Sequence, residues 1–226
     1  MSIALLAAVV AVLNINAATV QCVDYQCRDI SIPLYSKVLN FLSRHFDYNR
    51  LAGSIVSRRL PEKEKAMRVF NWTLEHIKSV PRGFPVVDDH SWYIIVRGYG
   101  TDDQFQDVFT TLCNYSGLDA FFDGVSSKDR SKNKSLSFVR IDKKWRVFDP
   151  FNGAYLIGPD GDLAGIEDVL SGGFTVFSKN SEARDIDYAK TLRTLKIDKR
   201  IKGWTFSRAA IQSPLRRFIF WLKTRK

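Results

Sequence analysis

Chemistry has few places to start in this chain. Three cysteines (Cys22, Cys27, Cys113) and three histidines (His45, His76, His90) are spread over 226 residues. The best seat for a reacting group is the stretch 98–117, which reads as a glycine-rich loop entering a helix. Phe105, Val108, Phe109 and Leu112 recur at helical spacing, so one face is expected to be buried. Gly117 falls where a left-handed C-terminal residue is expected. Asp102 or Asp103 is expected to cap the N-terminus, and both suit the positive end of the helix dipole. A thiolate at such an end would be acidified and strongly nucleophilic, but no cysteine stands there. Cys113 lies eleven residues beyond Asp102, about 16 Å along a helix axis, and is expected to be a small buried residue. The loop carries acid instead. Asp102, Asp103, Asp149 and His90 can cluster as an acidic site, even a metal site, and paired carboxylates hydrolyse bonds when held about 5–9.5 Å apart.

The remaining polar and aromatic candidates are fewer. His45 and His76 fall in helical stretches ahead of that loop, whereas His90 sits in the approach to it. Trp92, Tyr93 and Tyr99 flank the same loop and can stack on a ligand or pack into the core. With His90, Asp103 and Gln104, Trp92 and Tyr99 make up the ligand-binding candidates. Cys22 and Cys27 admit a disulfide in an extracytoplasmic setting, or two unpaired thiols. As a metal half-site they lack a second pair of ligands, so no metal and no cofactor is expected.

These residues need elements to hold them. The helix over 62–77 is the clearest: Pro61 precedes it, Glu62 and Glu64 occupy its first turn, and Ala66, Val69, Phe70, Thr73, Leu74 and Ile77 share a face. A helix is read over 30–45, entered at Ser31-Ile-Pro33, and a second helix or a loop over 49–60. Residues 84–97 read as a linker with a strand-like or irregular part at 92–96. After Gly117 come a short strand at 118–122 and an exposed charged loop at 126–134. A hairpin follows, with Leu136, Phe138 and Ile141 on one strand and Trp145, Val147 and Phe148 on the other, joined by a turn at Asp142-Lys-Lys144. A strand at 155–157, a short helix at 166–170 ended by Gly172-Gly173, and a strand at 174–177 complete the order. Helices first and an antiparallel sheet after them predict an α+β fold.

Three of these segments, in order, resemble the transglutaminase-like superfamily of papain-fold cysteine enzymes. They are Glu64-Lys-Ala-Met-Arg-Val-Phe-Asn-Trp72, Arg97-Gly-Tyr-Gly-Thr-Asp-Asp-Gln104, and Ser137 to Pro150, which ends Lys144-Trp-Arg-Val-Phe-Asp-Pro150. The second is similar to the pattern Gly-x-Cys-Asp-Gln at the nucleophile helix. The third is similar to the family's histidine strand, turn and Trp-x-x-x-Asp-Pro strand. The resemblance covers roughly residues 60–155. It implies a papain-like core with N-terminal helices packed on an antiparallel sheet. It also implies a Cys–His–Asp triad whose positions here fall on Asp102, on Lys134 or Ser135, and on Asp149. Nucleophile and base are both absent, so the resemblance implies a non-catalytic member that keeps a groove for a peptide or glycan. Asp149 and the pair Arg97 and Gln104 are expected to hold turn and loop geometry. The alternative is an amide- or ester-cleaving enzyme with a non-standard site around Asp102, Asp149 and His90.

The ends of the chain carry the remaining expectations. Residues 1–20 are apolar apart from a few positions and read as a signal or membrane anchor, a buried first helix, or the remnant of a longer segment. The domain proper is placed at 30–180. The net charge is +10, but residues 190–226 hold twelve Lys and Arg against one acid, Asp198. The body is therefore nearly neutral and the basicity belongs to an extension over 186–226. There Ser213-Pro214 starts an amphipathic helix. Arg216, Arg217, Phe218, Trp221 and Lys223 suit an anionic membrane surface. Nucleic acid is the lesser alternative, and packing of this helix on the domain is the third. With the apolar N-terminus, the membrane reading predicts an extracytoplasmic, membrane-associated module.

Overall fold

The computed structural model describes residues 3–23, 26–87, 90–125, 134–195 and 197. The chain is α+β. Helices α1 (Ile3–Leu13), α2 (Leu34–Ile55) and α3 (Glu62–His76) come first, with a hairpin of β1 (Asn16–Val23) and β2 (Gln26–Pro33) between α1 and α2. Two-residue strands β3 (Lys78–Ser79) and β4 (Tyr99–Gly100) pair in parallel on either side of α4 (Ser91–Arg97). Helix α5 (Asp102–Tyr115) leads into an antiparallel meander, β5 (Ala120–Val125), β6 (Lys134–Ile141), β7 (Lys144–Asp149), β8 (Ala154–Ile157) and β9 (Thr175–Ser178), paired in sequence order. Helix α6 (Ile166–Ser171) sits between β8 and β9. A 3-10 turn (Ser181–Asp185) and α7 (Tyr188–Thr194) follow the sheet.

Helix α5 is the axis of the molecule. Every residue from Asp103 to Asn114 is buried, because α2, α3 and α4 pack around it on one side and β5–β6 on the other. A single buried face was expected. The polar positions Gln106, Thr110 and Asn114, spaced four apart, are buried too, and each finds a partner. The Asn114 amide group donates to the carbonyls of Thr110 and Ala120 and accepts from the Ala120 N–H. The apolar side carries a cluster of rings, in which Phe109 lies 5.9 Å from Phe70 and 5.2 Å from Phe148 between ring centres. Burying each such ring contributes about 1.5–3 kcal/mol.

The sheet is covered on both faces. In β6, Val139 and Ile141 join the core around α5, while Leu136 and Phe138 join a second core. That is why Val139 breaks the alternation in the sequence: neither face of the strand meets water. The second core includes Val169 of α6 and Tyr188, Leu192, Leu195 and Ile197, residues that the sequence reading sets in the basic extension. The β6–β7 turn needs only Asp142 and Lys143, whose φ values of 50° and 66° are those of a primed hairpin turn. Lys144 already belongs to β7.

Several local expectations change. Residues 30–60 do not form two helices. Ser31 and Pro33 end β2, and one 22-residue helix runs from Leu34 to Ile55. It crosses the supposed break at Asn49 because Tyr48 and Ala52 are buried against the core. The stretch at 92–96 is helix, not strand: His90 caps α4 through its Nδ1 and Gly98 ends it at φ 74°. The β1–β2 hairpin was not anticipated, and it sets Cys22 opposite Cys27 in register. Helix α1 has no buried residue. No helix among the described residues is long and apolar enough to cross a membrane. The stretch 198–226, with Arg216, Arg217, Phe218, Trp221 and Lys223, lies outside the described residues, as does most of the charged loop at 126–134.

Candidate active site

The N-terminus of α5 is built by its own loop. Thr101 precedes the first turn, so Asp102 is the first helical residue and the capping residue is Thr101, not an aspartate. Gln104 reaches back, and its Oε1 accepts from the Thr101 N–H at 3.1 Å and from Arg97 Nη2 at 2.7 Å. Arg97 also donates to the carbonyls of Tyr99 and Val87. The Thr101 hydroxyl donates to Asp103 at 2.6 Å. Arg97, Asp103 and Gln104 therefore hold the loop, as read from the sequence for Arg97 and Gln104. Gly100 is needed beside them, since a Cβ there would lie 3.0 Å from Gln104.

With the loop fixed, Asp102 faces the start of β6. Its Oδ2 accepts from both the backbone N–H and the hydroxyl of Ser135, each at 2.8 Å. Its Oδ1 accepts from Gln106 Nε2 at 3.2 Å. That same nitrogen donates to Asp149 Oδ1 at 3.3 Å. The Ser137 hydroxyl donates to Gln106 Oε1 at 2.6 Å, which fixes the orientation of the amide. Asp149 is further held by the Asn152 side chain (2.7 Å), the Asn152 N–H (3.2 Å) and the Tyr188 hydroxyl (3.1 Å). Three residues far apart in sequence, Asp102, Ser135 and Asp149, thus meet through one glutamine. Of the two residues at the expected base position, Ser135 is buried in this network while Lys134 is exposed at the strand end.

Electrostatics follow from burial. Removal from water pushes the Asp102 carboxyl up from 3.8 to about 7. The nearby Asp149 charge adds to this, and the hydrogen bonds from Gln106 and Ser135 oppose it. Burial also raises Asp149, against its bonds from Asn152, Tyr188 and Gln106. Four donors converge on Asp149, which favours the carboxylate there, so the proton of the pair resides on Asp102. Burial and Asp149 together push the Tyr188 phenol upward. As chemistry, this is a buried acid pair with one ionised member. It holds no thiol and no imidazole: Cys113 is buried, and burial raises its thiol well above the ordinary value.

The other candidates lie elsewhere. His90 serves as the cap of α4, its Nδ1 accepting from the Trp92 N–H at 3.2 Å. Trp92 packs its edge on Tyr48 at 5.2 Å between ring centres and joins the core around α5. Tyr93 is exposed beside His90. Tyr99 lies under the Arg97 guanidinium and against Phe84. No group of three or more metal-ligating side chains occurs among the described residues.

Sequence reasoning missed Gln106, Ser137, Asn152 and Tyr188. Gln106 had a signal, since it follows Asp102 by four on the same helix face. Ser137 follows Ser135 by two on the same strand face, and Asn152 follows Asp149 by three in a turn. Tyr188 had none.

No protein-family model matches the sequence, and no curated protein matches it. Among solved structures the chain is similar to a putative cysteine protease from Cytophaga hutchinsonii, with 14% identity and a TM-score of 0.40 over 60% of this chain and 47% of that one. It is also similar to a putative protease from Parabacteroides distasonis, with 11% identity and a TM-score of 0.39 over 59% of this chain and 35% of that one. The chain spans less than half the length of either.

Proposed function

We propose that the chain is a non-catalytic transglutaminase-like domain that works as a binding or scaffolding module at a membrane surface of the cell envelope. One observation carries the first half. The position where this chemistry needs a free thiolate is filled by Asp102, whose two carboxylate oxygens are both engaged, by Ser135 and by Gln106. Ser135, at the base position, donates to it rather than withdrawing a proton. A carboxyl group so tied joins helix to sheet and leaves no nucleophile for a carbonyl. Assay of the purified chain against a panel of amide and ester substrates tests this, with no turnover above background expected. Turnover that disappears in Asp102→Ala would overturn the reading.

That outcome would favour a second reading, acid-pair hydrolysis of an amide or ester. It has one specific support: Asp102, pushed to about 7, lies a single amide group away from Asp149. A bell-shaped rate profile with one limb near pH 7 would be its signature.

The membrane half rests on apolar surface and on charge. Helix α1 exposes Ile3, Leu5, Leu6, Val9, Val10 and Val12, and α2 exposes Tyr35, Val38, Leu39, Leu42 and Phe46. The sequence adds the basic run 190–226. Apolar surface beside clustered Lys and Arg suits an anionic bilayer. The ligand class carried by this reading is a peptide or glycan at the α4–β4 edge, beside Tyr93 and Tyr99. Deletion of residues 213–226 is expected to weaken sedimentation with phosphatidylglycerol vesicles by at least about tenfold, since each basic residue near such a surface adds about 1 kcal/mol. Unchanged sedimentation, or binding to nucleic acid in preference to vesicles, would remove the membrane role.

A further inference from the structure

At the far end of α5, about 20 Å from Asp102 along a helix of this length, a cavity of about 410 Å³ opens between the C-terminal half of α2, the start of α3 and the end of α5. It is an open cleft rather than an interior void, since Gly53, Arg58 and Gly117 are exposed, and its origin is identifiable. Gly53 on α2 and Gly117 after α5 both line it, and a Cβ at either would meet nothing within 4 Å. Its volume falls in the range of small-molecule sites.

The lining has a definite sign. Arg58 and Lys65 face the cavity, and no Asp or Glu lines it. Among the described residues neither cation makes an ion pair or a side-chain hydrogen bond. The carbonyls of Leu112, Cys113 and Asn114 at the end of α5 accept from the N–H groups of Ser116, Gly117 and Leu118, and the helix end offers only a partial negative charge against two full cations. Ser116 also lines the cavity, and its hydroxyl is buried without a hydrogen-bond partner. Leaving such a group unpaired costs about 1–3 kcal/mol. His45 is fixed beside it: Asn49 Nδ2 donates to Nε2 at 3.1 Å, so Nδ1 donates to the Tyr115 hydroxyl at 3.2 Å.

We propose that this cavity is a binding site for a phosphorylated small molecule, with Arg58 and Lys65 meeting the phosphate and Ser116 and Tyr115 lying within the lining that surrounds it. A guanidinium and an ammonium lining one cleft suit a dianionic group through charge-assisted hydrogen bonds. The volume exceeds what a bare phosphate needs, so the ligand carries an organic part. This site stands apart from the Asp102 network, and its test is independent of catalysis.

The test uses phenyl phosphate and inorganic phosphate as probes on the full chain, read by amide chemical shifts. Saturable shifts at Gly53, Ser116 and Gly117 are expected, with phenyl phosphate binding the more tightly. The double variant Arg58→Glu with Lys65→Glu should weaken binding at least about tenfold, the effect of losing a charge-assisted bond. Gly53→Leu should abolish it by filling the space. That variant should keep its far-UV circular dichroism, because its Cβ has open space and leucine is the better helix former. Should Gly53→Leu fail to fold, the charge variant carries the test alone. No saturable shift, or shifts indifferent to the charge reversal, would overturn the proposal. A lipid phosphate headgroup offers the same chemistry. Phosphatidic acid vesicles whose binding is lost in the charge variant and blocked by phenyl phosphate would identify that source, and saturable phenyl phosphate binding that such vesicles do not compete would identify a soluble ester.

Discussion

At the level of single residues, the Asp102 carboxyl governs how the protein responds to pH. Its folded value of about 7 lies above the ordinary 3.8. Between those two values the folded chain holds a proton that the unfolded chain has released. The neutral form therefore stabilises the fold fully below about pH 4, and that contribution is lost as the pH rises through 7. Urea unfolding across this range should show falling stability toward pH 8. Asp102→Asn has no proton to lose and should flatten the slope while keeping an acceptor for Ser135. A carbon-13 titration of Asp102 should have its midpoint near 7. In Asp149→Asn the midpoint should fall but stay above the ordinary value, because burial is the larger cause and the Asp149 charge the smaller. A midpoint in the ordinary carboxylate range would remove the buried acid pair.

At the level of elements, the start of α5 depends on Gln104, which is buried and accepts from two donors at once. Gln104→Ala strands the Thr101 N–H and leaves the Arg97 guanidinium short of an acceptor. The expected cost is about 1–3 kcal/mol, with faster amide exchange at Thr101 while the distal end of α5 stays protected. Uniform loss of protection along α5 would contradict this. The same elements show what could be read in advance. Helix α3, the β6–β7 hairpin and the C-terminal end of α5 at Gly117 follow from spacing and turn residues, because there local preference and tertiary packing agree. Helix α4 was misread because Trp92-Tyr-Ile-Ile-Val96 has strand-like composition. Its conformation is decided by the His90 cap, by Gly98 and by full burial of Ile94. The acid cluster was only half visible. The family resemblance sets Asp102, Lys134 or Ser135, and Asp149 at one site, but Gln106, which shares the helix face of Asp102 by spacing and joins it to Asp149, was missed, because that contact depends on how α5 lies against the sheet, which local sequence does not encode.

At the level of the whole molecule, the sheet is closed by chain that reads as a tail. Tyr188 and Leu192 are buried at 1% and 2% exposure, inside a region whose charge is otherwise strongly basic. Charge counting concealed this, because α7 turns Tyr188, Thr191 and Leu192 inward while Lys190 and Arg193 stay outside. Tyr188 also reaches across the second core to Asp149, so the covering helix and the acid pair are coupled. Truncation separates the two parts of the extension. Ending the chain after residue 197 keeps every residue of the described core, and it should leave the unfolding midpoint nearly unchanged. Ending it after residue 186 uncovers Leu136, Phe138 and Val147, and should abolish cooperative unfolding. Leu192→Ala within the full chain is the graded version. It should cost about 2–5 kcal/mol, the range for emptying a leucine from a packed interior, and Tyr188→Phe should cost about 1.5–3 kcal/mol by removing a hydrogen bond to an ionised carboxylate. If the chain ending at 186 unfolds with the cooperativity and midpoint of the full protein, α7 is an appendage and the second face of the sheet is stable without it.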